Sequence, residues 1–533
     1  MSLLQGVTNV VDFLSAREAV DLIADNSTVA ITGSGGGILE PDAILAAIEQ
    51  RFLETGHPQG LTVVHALGIG DAKTRGLTHL AHRGLVRCVI GGHWSWSPAM
   101  QELAAAGEIE AYALPAGVIG ALLRETGSRR PGLITRVGLQ SFVDPRVEGG
   151  RLNELSKRVL SEVITLDGEE FLRYLPISVD VAIVRGSLSD THGNVSFADE
   201  PSFLDSDAVS LAAKGSQGIV LCQVREVTNH PLTPQDVHLP STLIDIIVEN
   251  KDQWQTYAHP FDPGLISAST DLEAPHPALL EATDVKSIIA RRAALEVAQG
   301  SLINVGFGMS SLVVDVLAGE KRLDDCTLII EQGAVGGQPV SGDLFGVSRN
   351  PQAILSSTRQ FDFFNSRALD LCFLGMAEVD QWGNVNVSKI GSTAVGPGGF
   401  IDIVHGARAA VFCGPLTAKG LTVSVQDGRL RIETEGAIHK FAQSVNQITF
   451  SAQQALSEGR RAIYITERAV FELGPEGIEL VEVAEGLDIE KDVIAHMDFR
   501  PLVREVKPMP SKVFDNSPLF HDWSPTHEER DAR

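Results

Sequence analysis

Short apolar, β-branched runs that end in glycine and give way to amphipathic stretches recur along the chain: STVAITGSGGG from Ser27, GLTVVHALGIGD from Gly60, SLINVGFGMSS from Ser301 and CTLIIEQGAVGG from Cys326. Nearly continuous apolar runs suit strands buried on both faces, and the glycines that follow suit tight turns into helices. After the first run, Pro41 at the first helical position and Ile44, Leu45, Ile48 and Phe52 at helical spacing predict a helix. After the third, Ser310 or Ser311 is expected to cap a helix carrying Leu312, Val313, Val316 and Leu317. This alternation predicts an α/β fold of open, mostly parallel sheets covered by helices, with ligands bound at the carboxyl ends of the strands.

The pattern repeats. DTHGNV at 190–195 returns as DQWGNV at 380–385, each after an apolar run; LTVVHALG from Leu61 aligns with LIIEQGAVG from Leu328; and VAITGSGGG aligns with LINVGFGMS. Three echoes in the same order predict two related, duplicated α/β domains. Turn signals in 256–277 mark the junction, so the expected units are residues 1–265 and 280–506. From 507 to 533 the chain is polar and punctuated by proline, and an extended tail is expected.

Composition narrows the partners. The 533 residues carry 43 Lys+Arg against 68 Asp+Glu, a formal net charge of −25, with no basic stripe of the kind a nucleic-acid binder needs. Aromatic residues are 6%, too sparse for a base-stacking surface. No apolar run reaches the ~18 residues of a membrane span. Cys88, Cys222, Cys326, Cys372 and Cys413 are odd in number and widely spaced, as reduced thiols of a cytoplasmic protein would be. The expected setting is the cytoplasm, without nucleic-acid or membrane partners.

The glycine loops match no phosphate-loop or dinucleotide pattern, although Gly35 and Gly36 can expose backbone N–H groups to an anion. Glu331 stands out: a carboxylate between a buried-type strand and a glycine-rich turn is placed where α/β proteins present side chains to ligands. The repeat sets His65 opposite it, so two strand ends would meet in one cleft if the halves face each other. In GPGGFIDI, Gly396, Gly398 and Gly399 let a backbone pass close to a substrate and Phe400 can seal the turn. The paired DxxGNV segments read best as repeated turns. The histidines and cysteines show no metal-ligand spacing.

EQGAVGGQP, AEVDQWGNVNVSKIG, GPGGFIDIVHGARAAVFCG and TAKG, in this order, together with GSGGGILEPDAIL, GGHWSWSPAMQEL and PAGVIGALLRE, resemble the family I coenzyme A transferases, specifically the single-chain short-chain acyl-CoA, acetate or 3-ketoacid enzymes. The resemblance implies two related α/β domains with the active site at their interface. It implies Glu331 as the catalytic carboxylate, and Gly396, Gly398, Gly399 and Phe400, with Gly35 and Gly36, as oxyanion or CoA-binding positions. His65, Ala116, Gly117, Trp94 and Phe307 become substrate-pocket positions, and Lys419 a CoA contact. The sequence departs from the family at two of these places. His65 stands where related enzymes often bring an asparagine to the oxyanion, and Pro115-Ala116-Gly117 replaces a common Pro-Gln-Gly.

The implied reaction moves CoA between a short-chain acyl-CoA and a carboxylic acid such as acetate, propionate, butyrate or a 3-ketoacid. It proceeds by ping-pong kinetics through a glutamyl-CoA thioester. CoA is then substrate and covalent intermediate, no cofactor is permanently bound, no metal is needed, and a homo-oligomer, dimer or tetramer, is expected. An acyl-CoA hydrolase on the same fold is the nearest alternative. A non-catalytic acyl-CoA or metabolite sensor is the alternative of another class, and it gives no reason for a glutamate at 331.

Overall fold

The computed structural model describes residues 11–268 and 280–520. Its first eight-stranded sheet is built from β1 (Asp12–Leu14), β2 (Thr28–Ile31), β3 (Leu61–His65), β4 (Val86–Gly91), β5 (Glu110–Ala113), β6 (Val181–Arg185), β7 (Ile219–Val224) and β8 (Ile246–Glu249). Their spatial order is β1-β8-β7-β6-β2-β3-β4-β5, parallel throughout. Order reverses between β2 and β6, so the loops after these strands open the crevice in which such sheets bind ligands. Helices α1 (Asp42–Thr55), α2 (Pro98–Ala105), α3 (Ala116–Gly127) and α4 (Ser206–Gly215) cover the sheet.

The second half repeats this plan. After α5 (Val285–Ala294), β9 (Ser301–Val305) pairs on one side with β10 (Cys326–Leu328), which follows α6 (Leu312–Gly319), and on the other with β11 (Leu369–Gly375), which follows α7 (Ser357–Asn365). Next come α8 (Phe400–Gly406), β12 (Ala407–Cys413), β13 (Arg461–Ile465), β14 (Ala469–Gly474), β15 (Gly477–Val483) and β16 (Leu502–Pro508), giving the order β10-β9-β11-β12-β13-β14-β15-β16. The run β10-β9-β11-β12-β13 is parallel and matches β3-β2-β6-β7-β8 strand for strand; β14 and β15 are antiparallel additions. The echoes in sequence are thus echoes in topology: β2 answers β9, and β3, ending at His65, answers β10, which leads to Glu331. The two DxxGNV segments also fold alike. Asp190 accepts from the amides of His192 and Asn194, and Asp380 from those of Trp382 and Asn384.

Alternation along the strands explains the layering. Val29 and Ile31 of β2 pack outward against Ile44, Leu45 and Ile48 of α1, as the helical spacing predicted, while Ala30 turns the other way. Ile303 and Val305 of β9 pack with α5 and α6 in the same manner. The inner faces of both sheets share one continuous core, in which α3 of the first half, itself packed on α4, lies against α7 and α8 of the second. The two sheets are therefore locked through a common helical layer.

Two local expectations differ. Ser310 and Ser311 do not cap α6: their hydroxyls donate back to the carbonyls of Gly306 and Gly308, closing a 3-10 turn that leads into the helix. Nor does the extended tail begin at 507. Met509, Val513, Phe514 and Leu519 are buried against the outer core of the second sheet, and buried Arg291 donates to the carbonyls of Lys512, Val513, Asp515 and Ser517. Four dispersed apolar residues and one cation anchor a segment whose composition is otherwise that of a tail. Residues 521–533 lie outside the described ones.

Candidate active site

Glu331 follows β10 by two buried residues, Ile329 and Ile330, and is itself only 8% exposed. The turn behind it is tight: Gly333 donates to Ile330 O at 2.9 Å and Ile330 donates to Ala334 O at 2.9 Å. Gly333 has φ +123, and a Cβ there would meet Leu355 O at 2.0 Å, so the position needs glycine. The first half braces the same turn, since Ser202 donates its hydroxyl to Gln332 O.

Pairing of β9 with β10 sets Asn304 beside the carboxylate. Its Nδ2 donates to Ile329 O at 2.9 Å and to Glu331 Oε2 at 3.3 Å. Burial raises the Glu331 pKa above the ordinary carboxylate range, while its own backbone amide and the Asn304 amide pull it back in part. Asn304 Oδ1 and Gln332 Oε1 are buried without a hydrogen-bond partner among the described residues, so this cluster holds polar capacity those residues do not use.

Glu331 opens into a cavity of about 480 Å3 at the carboxyl ends of the strands of both sheets. Ser34, His93 and Trp96 line it from the first half; Phe307, Gln332, Phe345 and the segment Val395–Phe400 line it from the second. Phe307 stands at its wall 63% exposed and packs edge-on against Phe345 at 5.3 Å. Burial, with neighbouring His65 adding to it, lowers the His93 pKa to about 4, so this wall carries a neutral imidazole at neutral pH.

The loop before α8 is stitched to the first half by its backbone. Trp94 donates to Val395 O, Gly398 donates to Gly92 O and Ala116 donates to Gly398 O, each at 2.8 Å. A Cβ at Gly396 would reach within 2.5 Å of Gly92 O. Of the three glycine amides expected to serve an oxyanion, that of Gly396 is used by Ser388 O and that of Gly398 by Gly92 O. Only the Gly399 amide has no acceptor among the described residues.

Several expected positions stand behind the wall rather than in it. His65 Nδ1 lies 2.7 Å from Leu67 O, which can only accept, so Nδ1 carries the proton. Burial lowers its pKa to about 4, leaving Nε2 a bare acceptor directed toward Gly91. His65 therefore cannot donate to an oxyanion in place of the asparagine. Trp94 is buried beneath the cavity, and Ala116 and Gly117 form the first turn of α3 without lining it. Gly35 packs under the Trp96 ring and Gly36 against Asp343 O, so these two glycines serve close approach between elements, whereas adjacent Ser34 reaches the cavity. Lys419 lies in an exposed turn at φ +59 and is absent from the lining. Sequence reasoning missed Asn304, His93 and Gln332. Only Asn304 left a signal, as the one polar residue within the apolar stretch LINV.

The coenzyme A transferase family profile matches residues 13–250. Acetate CoA-transferase YdiF of Escherichia coli (strain K12) is 40% identical over 512 residues, 95% of each chain. Caffeate CoA-transferase of Acetobacterium woodii is 39% identical over 514 residues, 94% of this chain and 97% of that one. The crystal structure of acyl-CoA transferase YdiF from E. coli O157:H7 in a thioester complex with CoA superposes with a TM-score of 0.90 at 38% identity, covering 96% of this chain and 97% of that one.

Proposed function

The chain belongs to the coenzyme A transferases and is an enzyme of that activity, and from that premise we propose that it moves CoA between a short-chain acyl-CoA and a carboxylic acid through a covalent thioester on Glu331. The observation that carries this reading is the placement of Glu331: a carboxylate of raised proton affinity, held by Asn304, in a largely apolar cavity walled by both halves. In the first step a Glu331 oxygen attacks the thioester carbonyl; the carbon–sulfur bond breaks, giving an acyl-glutamyl anhydride and CoA thiolate. The thiolate then attacks the glutamyl carbonyl and releases the first acid, leaving glutamyl-CoA. The acceptor acid runs the sequence in reverse, so protons and bonds balance without a redox or metal cofactor. The acceptors we propose are acetate, propionate, butyrate or a 3-ketoacid.

An isolated carboxylate is a weak nucleophile, and burial strengthens it by raising its pKa. The remaining stabilisation comes from donors aimed at the developing oxyanion, each removal of which costs about 3–4 kcal/mol in comparable sites. The free Gly399 amide is the backbone donor we assign to that place. The apolar walls keep water from the anhydride, favouring transfer over hydrolysis. In this reading residues 1–265 and 280–506 are the two catalytic domains. The five unpaired cysteines suit a reducing, cytoplasmic compartment, and a dimer or tetramer is expected from the family, to be read by sedimentation.

A half-reaction tests the proposal. Acyl-CoA mixed with stoichiometric enzyme and no acceptor should release one equivalent of free acid per site without free thiol. Glu331→Gln should release none. Equal release of acid and free thiol would instead indicate hydrolysis.

A further inference from the structure

Helix α3 begins without a cap of its own, because Pro115 at its N-cap has no side-chain acceptor. Two adjacent amides of its first turn are instead bonded by the other half: Ala116 donates to Gly398 O at 2.8 Å, and Gly117 donates to Asp402 Oδ2 at 3.0 Å. These acceptors flank Gly399, one residue before it and three after. Ile403 donates to Gly399 O at 2.9 Å, so the turn from Gly399 to Ile403 moves as one piece.

We propose that Asp402 is a positioning residue for CoA transfer: its carboxylate caps α3 of the opposite half and, with the Ala116–Gly398 bond, clamps the loop on both sides of Gly399, holding the free Gly399 amide toward the reacting thioester. An anion is favoured at the N-terminus of the 12-residue α3. The fit is close, since a Cβ on Gly117 would come within 2.5 Å of Asp402 Oδ1 and 2.6 Å of the Phe361 ring. Glycine at 117 is therefore explained by the clamp. Asp402 is fully buried and its Oδ1 has no partner among the described residues, an arrangement costly enough that a neutral residue would serve packing better. Burial pushes its carboxyl up to about 7 even against the helix amides, so the anion is held there at a cost.

This inference rests on transfer through Glu331, and the experiment separates the two. Steady-state kinetics and melting curves are compared for wild type, Asp402→Ala and Asp402→Asn, with trapping of the enzyme thioester in wild type as reference. Asp402→Ala should lower kcat about 100-fold with the KM for acyl-CoA within about threefold, as loss of an oriented oxyanion donor does. Asp402→Asn keeps an acceptor for the Gly117 amide and should recover most of that loss. Wild-type kcat in both variants would overturn the inference while leaving Glu331 untouched. A kcat loss matched by an equal rise in KM, or by an equal loss of folded protein, would overturn it as well. A wild type that forms no glutamyl thioester would overturn the Glu331 reading and this inference together.

Discussion

In the proposed reaction the Glu331 carboxylate must be ionised to attack, yet its surroundings favour the proton. Burial raises its pKa, and the Asn304 amide is the side-chain hydrogen bond that opposes the shift. The anion is the reactive form, so kcat/KM for acyl-CoA should fall as pH drops, with the acid limb above the ordinary 4.5. Asn304→Ala removes a bond to the charged form and should move the limb further upward. A limb at or below 4.5 in wild type, or one that Asn304→Ala moves downward, would contradict this placement. His65 shows why pairing by repeat alone misled at this scale. The repeat correctly paired β3 with β10, but the strand registers set His65 level with Ile330 rather than Glu331, and its Nδ1 proton is held by Leu67 O, which leaves no donor for a substrate.

Strands, helices and the turns between them carry the geometry. The apolar runs and their glycine endings made β2, β3, β9, β10 and α1 legible, because burial on two faces and a left-handed turn each restrict composition strongly. Gly333 is the sharpest case. At φ +123 against Leu355 O, Gly333→Ala forces the backbone to shift, and strain of this kind costs about 1–3 kcal/mol before the clash is counted. Denaturant unfolding should show that loss, and kcat should drop with it, because the displaced turn carries Glu331 and Gln332. Unchanged activity would mean that the turn does not hold the nucleophile. What was not legible depends on pairing at long range. Asn304 meets Glu331 only through the β9–β10 register, and Asp402 meets α3 from 285 residues away. The segment after 507 read as a tail because its apolar anchors are scattered, although each finds a place in the core.

At the scale of the whole chain, duplication is the feature that composition could not reveal and the echoes could. Two copies of one strand order meet across a shared helical layer, so the equivalent strand ends, one ending in His65 and the other leading to Glu331, approach a common cleft. In the proposed reaction the second copy supplies the nucleophile and the first supports it. The net charge of −25 should slow rather than steer polyanionic CoA. No lysine or arginine lines the cavity among the described residues. In the proposed mechanism these halves assemble a site at which Glu331 becomes a thioester. Enzyme incubated with acyl-CoA, reduced with borohydride and digested for mass spectrometry tests it most directly. Reduction should fall on Glu331 in the peptide containing EQGAVGG, with none in Glu331→Gln; an unmodified wild-type peptide, or modification that persists in Glu331→Gln, would rule the thioester on Glu331 out.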